Sequence, residues 1–227
     1  PADRPTLPIF SPEKLMPITA LNRLPDLPAA QWDALVPAQQ PFLSHAFLST
    51  LEESGSLGPN SGWRSEHLLW QENGEIRAAI PGYRKRHSYG EYAFDQGWAA
   101  ACQRSGIAYY PKWLGAVPFS PVTGARLLGD EPAAVSLLQA IPDYLEENGL
   151  TGAHINFTDE RANRLIGGEA VWQHRQGLQY HWQNRGYRDF QDYLDALTSR
   201  KRKQFRKERE QVAAQGIDFV WLKGAQV

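Results

Sequence analysis

Cysteine is almost missing: Cys102 is the only one among 227 residues. A single thiol excludes an internal disulfide framework and fits a reducing compartment, and Cys102 itself reads as a small buried apolar side chain. No run of 18 apolar residues occurs and the mean hydropathy is −0.51, so no membrane-spanning segment is expected. Pro1–Ile9 lacks the basic and apolar regions of a signal peptide and begins without methionine, so a processed or engineered start is expected, with the cytoplasm as the location. Charge of one sign is also missing: 24 Lys and Arg stand against 25 Asp and Glu. No global field draws the chain to nucleic acid or a membrane, and any polyanion site has to be a local patch.

Motifs are sparse too. There is no internal repeat, no Gly-x-x-x-x-Gly-Lys phosphate loop, no His-Glu-x-x-His zinc helix and no Gly-x-Ser-x-Gly elbow. The six histidines are scattered without ligand spacing, so no metal site is expected.

What is present is an ordinary globular composition, 42% hydrophobic and 22% charged, with length for one large domain or two small ones. Residues 1–12 are Pro-rich and read as a loose arm. A short strand is expected at Leu15–Leu21, a helix from Pro28 and a second at Ser44–Ser54, where Phe47, Leu48 and Leu51 share a face before Gly55. Asn73-Gly74 lies between two strand-like runs and supplies the positive φ angles of a type I′ hairpin turn. Tyr89–Phe94 continues as strand or loop, and Ala99–Arg104 as a short helix. Tyr109–Leu128 holds four aromatics, three prolines and two glycines, too irregular for one strand, although Arg126-Leu-Leu-Gly can end one. A helix from Pro132 to Asn148, a strand at Ala153–Phe157, a helix at Asp159–Ile166 and a strand at Gly177–Gln183 follow.

This order is that of an α/β, GNAT-like (acyl-CoA N-acyltransferase) unit, a mixed sheet flanked by helices; another open α/β connectivity is the rival. After Gly186 the pattern restarts with helices at Phe190–Leu197 and Arg200–Gln215 and a strand at Ile217–Leu222. The expected organisation is an arm at 1–12, a first domain at 13–186, and at 187–227 the opening of a second such unit. The natural protein is then expected to continue beyond Val227; packing of this piece as an extension of the first sheet is the alternative.

Three stretches carry candidate chemistry. A GNAT unit holds the pyrophosphate of coenzyme A on the N–H groups of a [Gln/Arg]-x-x-Gly-x-[Gly/Ala] loop at a helix N-terminus. Gln103-Arg-Ser-Gly106-Ile-Ala108 matches formally, but an aromatic run follows it. Arg126-Leu-Leu-Gly129-Asp130-Glu131 has the strand-to-helix context but ends in two carboxylates, so the unit is expected to lack that loop. The cluster Arg200, Lys201, Arg202, Lys203, Arg206, Lys207 and Arg209 puts seven cations in 11 residues. It is either a solvated helix face with i,i+4 pairs or a phosphate-binding surface. The Pro- and Gly-stiffened wall at 109–128, with Lys112, Ser120, Thr123 and Arg126 as polar tips, suits a cleft or a rigid core crossing. His181 and Trp182 lie near the junction of the two units.

These residues, in order, resemble a known family. Tyr110-Pro-Lys-Trp, Val117-Pro-Phe-Ser-Pro-Val-Thr-Gly-Ala-Arg, His154-Ile-Asn-Phe, His181-Trp-x-Asn-x-Gly-Tyr and Ser199-Arg-Lys-Arg-Lys-x-x-Arg-Lys-Glu-Arg resemble bacterial FemAB-like proteins, the group labelled N-acyltransferases of peptidoglycan biosynthesis or recognition. The resemblance implies tandem GNAT-like units and acyl or aminoacyl transfer to an amino group of a cell-wall precursor, this chain supplying mainly the acceptor-binding half, without activity by itself. Lys112, Trp113, Phe119, Ser120, Thr123, Arg126, His181 and Trp182 would then bind substrate. Arg200, Lys201, Arg202, Lys203, Arg206 and Lys207 would hold phosphates or tRNA. The complete protein would use aminoacyl-tRNA or acyl-CoA as donor, with no cofactor or metal in this chain, and a small-molecule or nucleotide-linked precursor as partner. No catalytic base is assigned. A non-catalytic recognition module for cell-wall precursors and a nucleic-acid-binding domain using the basic helix are the alternatives.

Overall fold

A computed structural model describes residues 18–226, so the arm at 1–12 and the first part of the strand expected from Leu15 lie outside the described residues. Contacts divide the chain into a unit ending at Gly177 and a second starting at Leu178.

The first unit is mixed α/β with two four-stranded sheets flanked by helices. It runs β1 (Thr19–Leu21), α1 (Ala29–Asp33), α2 (His45–Glu53), β2 (Trp63–Ser65), β3 (His67–Glu72), β4 (Glu75–Ile80), β5 (Gly82–Lys85), α3 (Gln96–Arg104), β6 (Lys112–Gly115), β7 (Leu128–Gly129), α4 (Glu131–Glu147), β8 (Ala153–Ile155) and α5 (Glu160–Gly167). One sheet has the order β1-β3-β4-β7, antiparallel throughout; the other has the order β2-β5-β6-β8, in which β6 and β8 are parallel.

One long hairpin serves both sheets. Its turn is Asn73-Gly74, with φ of 53° and 83°, the pair of positive values a type I′ turn demands. Its arms break at Glu66 and Pro81, where the Glu66 N–H donates to the Gly82 carbonyl at 2.8 Å. Beyond that break β2 and β5 leave the first sheet and build the second. Gly82 is needed there, because a Cβ would stand 2.4 Å from the Trp113 ring.

The first sheet is buried on both faces. Leu68, Trp70, Ala78 and Ile80 pack with Leu137, Leu138 and Ile141 of α4, while Leu69, Ala79 and Leu128 pack with Trp32 and Leu48 of α1 and α2. Each fully buried aliphatic side chain contributes about 1.5–3 kcal/mol. Helix α4 starts with Pro132 in its first turn, and Pro142 removes one internal N–H; the Leu138 carbonyl that loses this donor accepts from Trp172 Nε1 at 3.5 Å. The N-caps of α2 and α5 are Ser44 and Asp159, whose side chains accept from Phe47 N and Ala162 N. Cys102 is half-buried on α3, a helix with no buried residue, and not a core side chain.

The second unit holds α6 (Phe190–Asp195) and α7 (Ser199–Ala214). Two expected strands are corrected: residues 177–183 and 217–222 form no strand. Among the described residues no neighbouring backbone supplies the N–H and C=O groups a ladder requires. Phe219, Val220 and Trp221 are consequently exposed.

Candidate functional site

The second sheet sorts its residues by strand parity. Tyr83, Lys85, Lys112, Leu114 and His154 fall on one face, because Tyr83 pairs with Leu114, Lys85 with Lys112, and Leu114 with His154. The alternate positions, Trp113, Ala153 and Ile155, join the α4 core on the other face. Ionisable groups thus gather on one side of the sheet, where the 86–95 loop delivers Ser88, Glu91 and Asp95.

Lys112 is the hub. Its Nζ donates to Ser88 Oγ at 2.9 Å, Glu91 Oε2 at 2.8 Å and Asp95 Oδ2 at 2.5 Å, with His154 Nδ1 at 3.4 Å. The Tyr109 hydroxyl donates to Asp95 Oδ2 at 2.7 Å and lies 3.4 Å from His154 Nε2. Lys85 is fully buried, 3.8 Å from the centroid of the Trp63 ring and 4.0 Å from Glu91 Oε1. The Glu91 and Asp95 side chains have no exposed surface, whereas His154 keeps 25% of its side chain accessible. His154 and the half-buried Tyr109 are therefore the groups of this network that a ligand can reach.

Burial and charge act against each other here. Burial alone would raise Asp95, but hydrogen bonds from Lys112, Ser88 and Tyr109 hold it at about 2. Glu91 is raised, because burial outweighs the two lysines. Burial, together with the Lys112 charge, brings Lys85 down to about 8 despite Glu91. Burial first, then Lys112 and Arg175, lower His154 to about 4. His154 is neutral at physiological pH, beside an ionised Asp95. Glu91, Asp95 and His154 offer ligand atoms within 4.8 Å of one another, but the Lys112 ammonium already takes the cation's place among them.

Three other buried polar groupings lie in the first unit. Glu52 accepts from Leu24 N, Ser65 Oγ and His67 Nε2, and the His67 ring takes the Gly82 N–H on Nδ1. Burial would raise Glu52, yet these donors leave it lowered. Glu66 is clamped by Arg84 at 2.6 Å and by the Tyr144 hydroxyl at 2.6 Å. Arg126, 1% exposed, gives its N–H groups to the carbonyls of Asn156, Ala125 and Val122, and burial lowers it to about 10.

The sequence-expected site residues fall into separate groups. Lys112 lies inside the network and is not a free cationic tip. Trp113 is fully buried with Nε1 on the Glu66 carbonyl, and Arg126 is locked onto backbone. Phe119, at a φ of 55°, packs its ring on Trp63 and is partly exposed; Ser120 is half-buried and Thr123 exposed, both on the excursion between β6 and β7. Trp182 belongs to an aromatic cleft of the second unit, and His181 beside it in sequence is exposed. On α7, Arg200, Lys201, Lys203, Arg206 and Lys207 are exposed, whereas Arg202 donates to the carbonyls of Leu194, Asp195 and Leu197. Lys85, Ser88, Glu91, Asp95, Tyr109 and His154 were missed as site residues. The available signal was Lys112, set between Pro111 and Trp113 in an apolar run, which demands a buried counter-charge; Lys85, flanked by Arg84 and Arg86, gave none.

The formal coenzyme A match at 103–108 is the end of α3, where Gly106 and Ile107 close the helix through Gln103 O and Cys102 O. At the other, Gly129 N donates to Leu35 O and Asp130 N to Arg77 O, while Asp130 pairs with Arg77 and Glu131 with Arg161 and Arg164.

The profile of a family described as FemAB-like, peptidoglycan biosynthesis/recognition, matches residues 23–227. No curated protein and no solved structure matches the chain. Among the described residues no helix is long and apolar enough to cross a membrane.

Proposed function

The chain belongs to the FemAB-like family of peptidoglycan biosynthesis and recognition, and from that premise we propose that it serves an N-acyltransferase of GNAT-like fold, acting in the cytoplasm on an amino group of a cell-wall precursor. The observation that carries this reading is the sheet face on which a neutral, accessible His154 adjoins Asp95, Lys112 and Tyr109. Amine acylation needs an amine placed against an acyl carbon, a base for its proton and donors for the oxyanion. A proton on His154 Nδ1 turned toward Asp95 leaves the Nε2 lone pair for the ammonium of the tetrahedral adduct. The adduct then collapses by breaking the donor's C–O (aminoacyl-tRNA) or C–S (acyl-CoA) bond, and the departing hydroxyl or thiol takes the proton back from His154. That ammonium is a far stronger acid than the free amine in its protonated form, so a weak base suffices. Lys112 positions Asp95 and keeps His154 neutral without touching substrate. Phe119, Ser120 and Thr123, accessible on the excursion between β6 and β7, are the further residues we propose to meet the acceptor.

This unit is assigned the acceptor half. Gly129 and Asp130 have already spent their N–H groups, Pro132 has none, and Glu131 adds negative charge, which disfavours a pyrophosphate at that helix start. Aminoacyl-tRNA or acyl-CoA is then the donor, held at a different surface.

The test is transfer itself. A nucleotide-linked muramyl peptide with a free amine is incubated with the protein and, in turn, an aminoacyl-tRNA or an acyl-CoA, and analysed by mass spectrometry. Addition of the acyl mass, lost in His154→Ala, is the expected result. Binding of the precursor without added mass from either donor supports recognition without catalysis, the other role that the family description names. Absence of precursor binding sinks both.

A further inference from the structure

The loop that carries Glu91 and Asp95 into the first unit leaves its aromatic side chains outside. Nine large hydrophobic side chains are exposed on the described part of that unit. Five of them, Tyr89, Tyr92, Phe94, Trp98 and Ile107, lie within one short stretch of chain. Tyr89 and Phe94 are 75% and 74% exposed. Tyr92 and Phe94 hold φ of 57° and 50°, left-handed conformations that are unfavourable for an aromatic residue, and exposed rings return little packing for that strain. Helix α3 follows directly and buries no residue; nine residues without a packed face make a marginal helix in water. Arg175 ties the loop to the helix, its guanidinium 5.1 Å from the centroid of the Trp98 ring and donating to the Phe94 carbonyl at 3.3 Å. An apolar surface of this kind marks a contact site.

The charge pattern names the partner. Between Arg86 and Pro111 the only carboxylates are Glu91 and Asp95, and both are withdrawn into the Lys112 network with no exposed side-chain surface. Arg86, Arg104 and Arg175 are exposed, and none pairs with a carboxylate among the described residues. The outward face therefore presents rings, the alanine run Ala99–Ala101 and cations alone. A second copy on this face would set like arginines against one another. A nucleic-acid strand would stack on the rings but leave Ile107 and the alanines without a role. An anionic lipid surface suits every group: tyrosine and tryptophan at the headgroup level, Phe94 and Ile107 below it, and the arginines on the headgroup phosphates.

We propose that the face formed by the 89–95 loop and α3 docks on an anionic bilayer surface. It shares a loop with the acceptor network but uses none of the residues assigned there, so either reading can fail without the other.

The experiment floats the full chain with vesicles of phosphatidylglycerol and phosphatidylethanolamine and, separately, of phosphatidylcholine. Binding to the anionic vesicles is expected. It should weaken about tenfold or more in Phe94→Ser/Trp98→Ser and about fivefold in each of Arg86→Gln and Arg104→Gln, and high salt should act as the arginine substitutions do. Far-UV circular dichroism and urea unfolding check that each variant folds. Helix α7 has exposed cations of its own, and Lys201→Gln/Lys203→Gln measures their share. Four results would overturn the proposal. These are no binding to the anionic vesicles, equal binding to phosphatidylcholine, binding that ignores Phe94→Ser/Trp98→Ser in a folded variant while falling on α7 substitution, and a dimer in sedimentation that Phe94→Ser/Trp98→Ser dissolves.

Discussion

Replacing Lys112 by Met keeps most of the side-chain volume and removes the ammonium that Glu91 and Asp95 share. Neither carboxylate has exposed surface, so neither recovers hydration. Glu91 is left with Lys85 at 4.0 Å, and Asp95 with the Tyr109 hydroxyl. Removing one partner of a buried pair costs about 3–5 kcal/mol, mostly from the charge left behind. Against a typical total of about 5–15 kcal/mol this is severe. The pH dependence separates this cause from simple loss of packing. In the parent protein Asp95 sits at about 2, below its ordinary 3.8; its contribution is full above 3.8 and is lost as pH falls through 2. In Lys112→Met both carboxylates are raised instead, so the deficit is present at neutral pH and shrinks as acid protonates them. Urea unfolding followed by tryptophan fluorescence should show a midpoint about 2 M lower at pH 7.5, and a smaller difference at pH 5. A loss below about 1 kcal/mol, or one equal at both pH values, would refute the charge-balance argument.

Other expectations follow from single contacts. His154 is lowered from 6.5 to about 4, so its contribution is full above 6.5 and is lost as pH falls through 4; about 3 kcal/mol should disappear over that window, and His154→Phe should flatten it in thermal melts. Gly129→Ala should cost at least about 2 kcal/mol in urea unfolding, because φ is 83° and the new Cβ would stand 2.1 Å from the Arg77 carbonyl oxygen. Leu137→Ala, fully buried between α4 and the first sheet, should lose about 2–5 kcal/mol, while exposed Val212→Ala should stay within about 0.5 kcal/mol.

Local signals carried the helices and the hairpin. Ser44 and Asp159 mark helix starts, Asn73-Gly74 marks the turn, and Gly149 ends the longest helix, each through its own backbone chemistry. Residues 177–183 and 217–222 show the limit: an apolar and aromatic stretch suits a strand but contains nothing about a partner. The same limit hid the network. Lys112 was singled out, but its partners at 85, 88, 91, 95, 109 and 154 meet it only through the β5-β6-β8 register and the return of the 86–95 loop. Arg126 was taken for a polar tip because its apolar neighbours give no hint that backbone carbonyls would enclose it.

The most direct test of the acceptor site is a titration of the protein with a nucleotide-linked muramyl peptide bearing a free amine, observed at the His154 imidazole resonances. Saturable shifts at His154, weakened in Ser120→Ala/Thr123→Ala and in Phe119→Ala, are expected. Saturable binding that leaves His154 unmoved and ignores those substitutions, or no binding at all, would contradict the assignment of this sheet face to the acceptor.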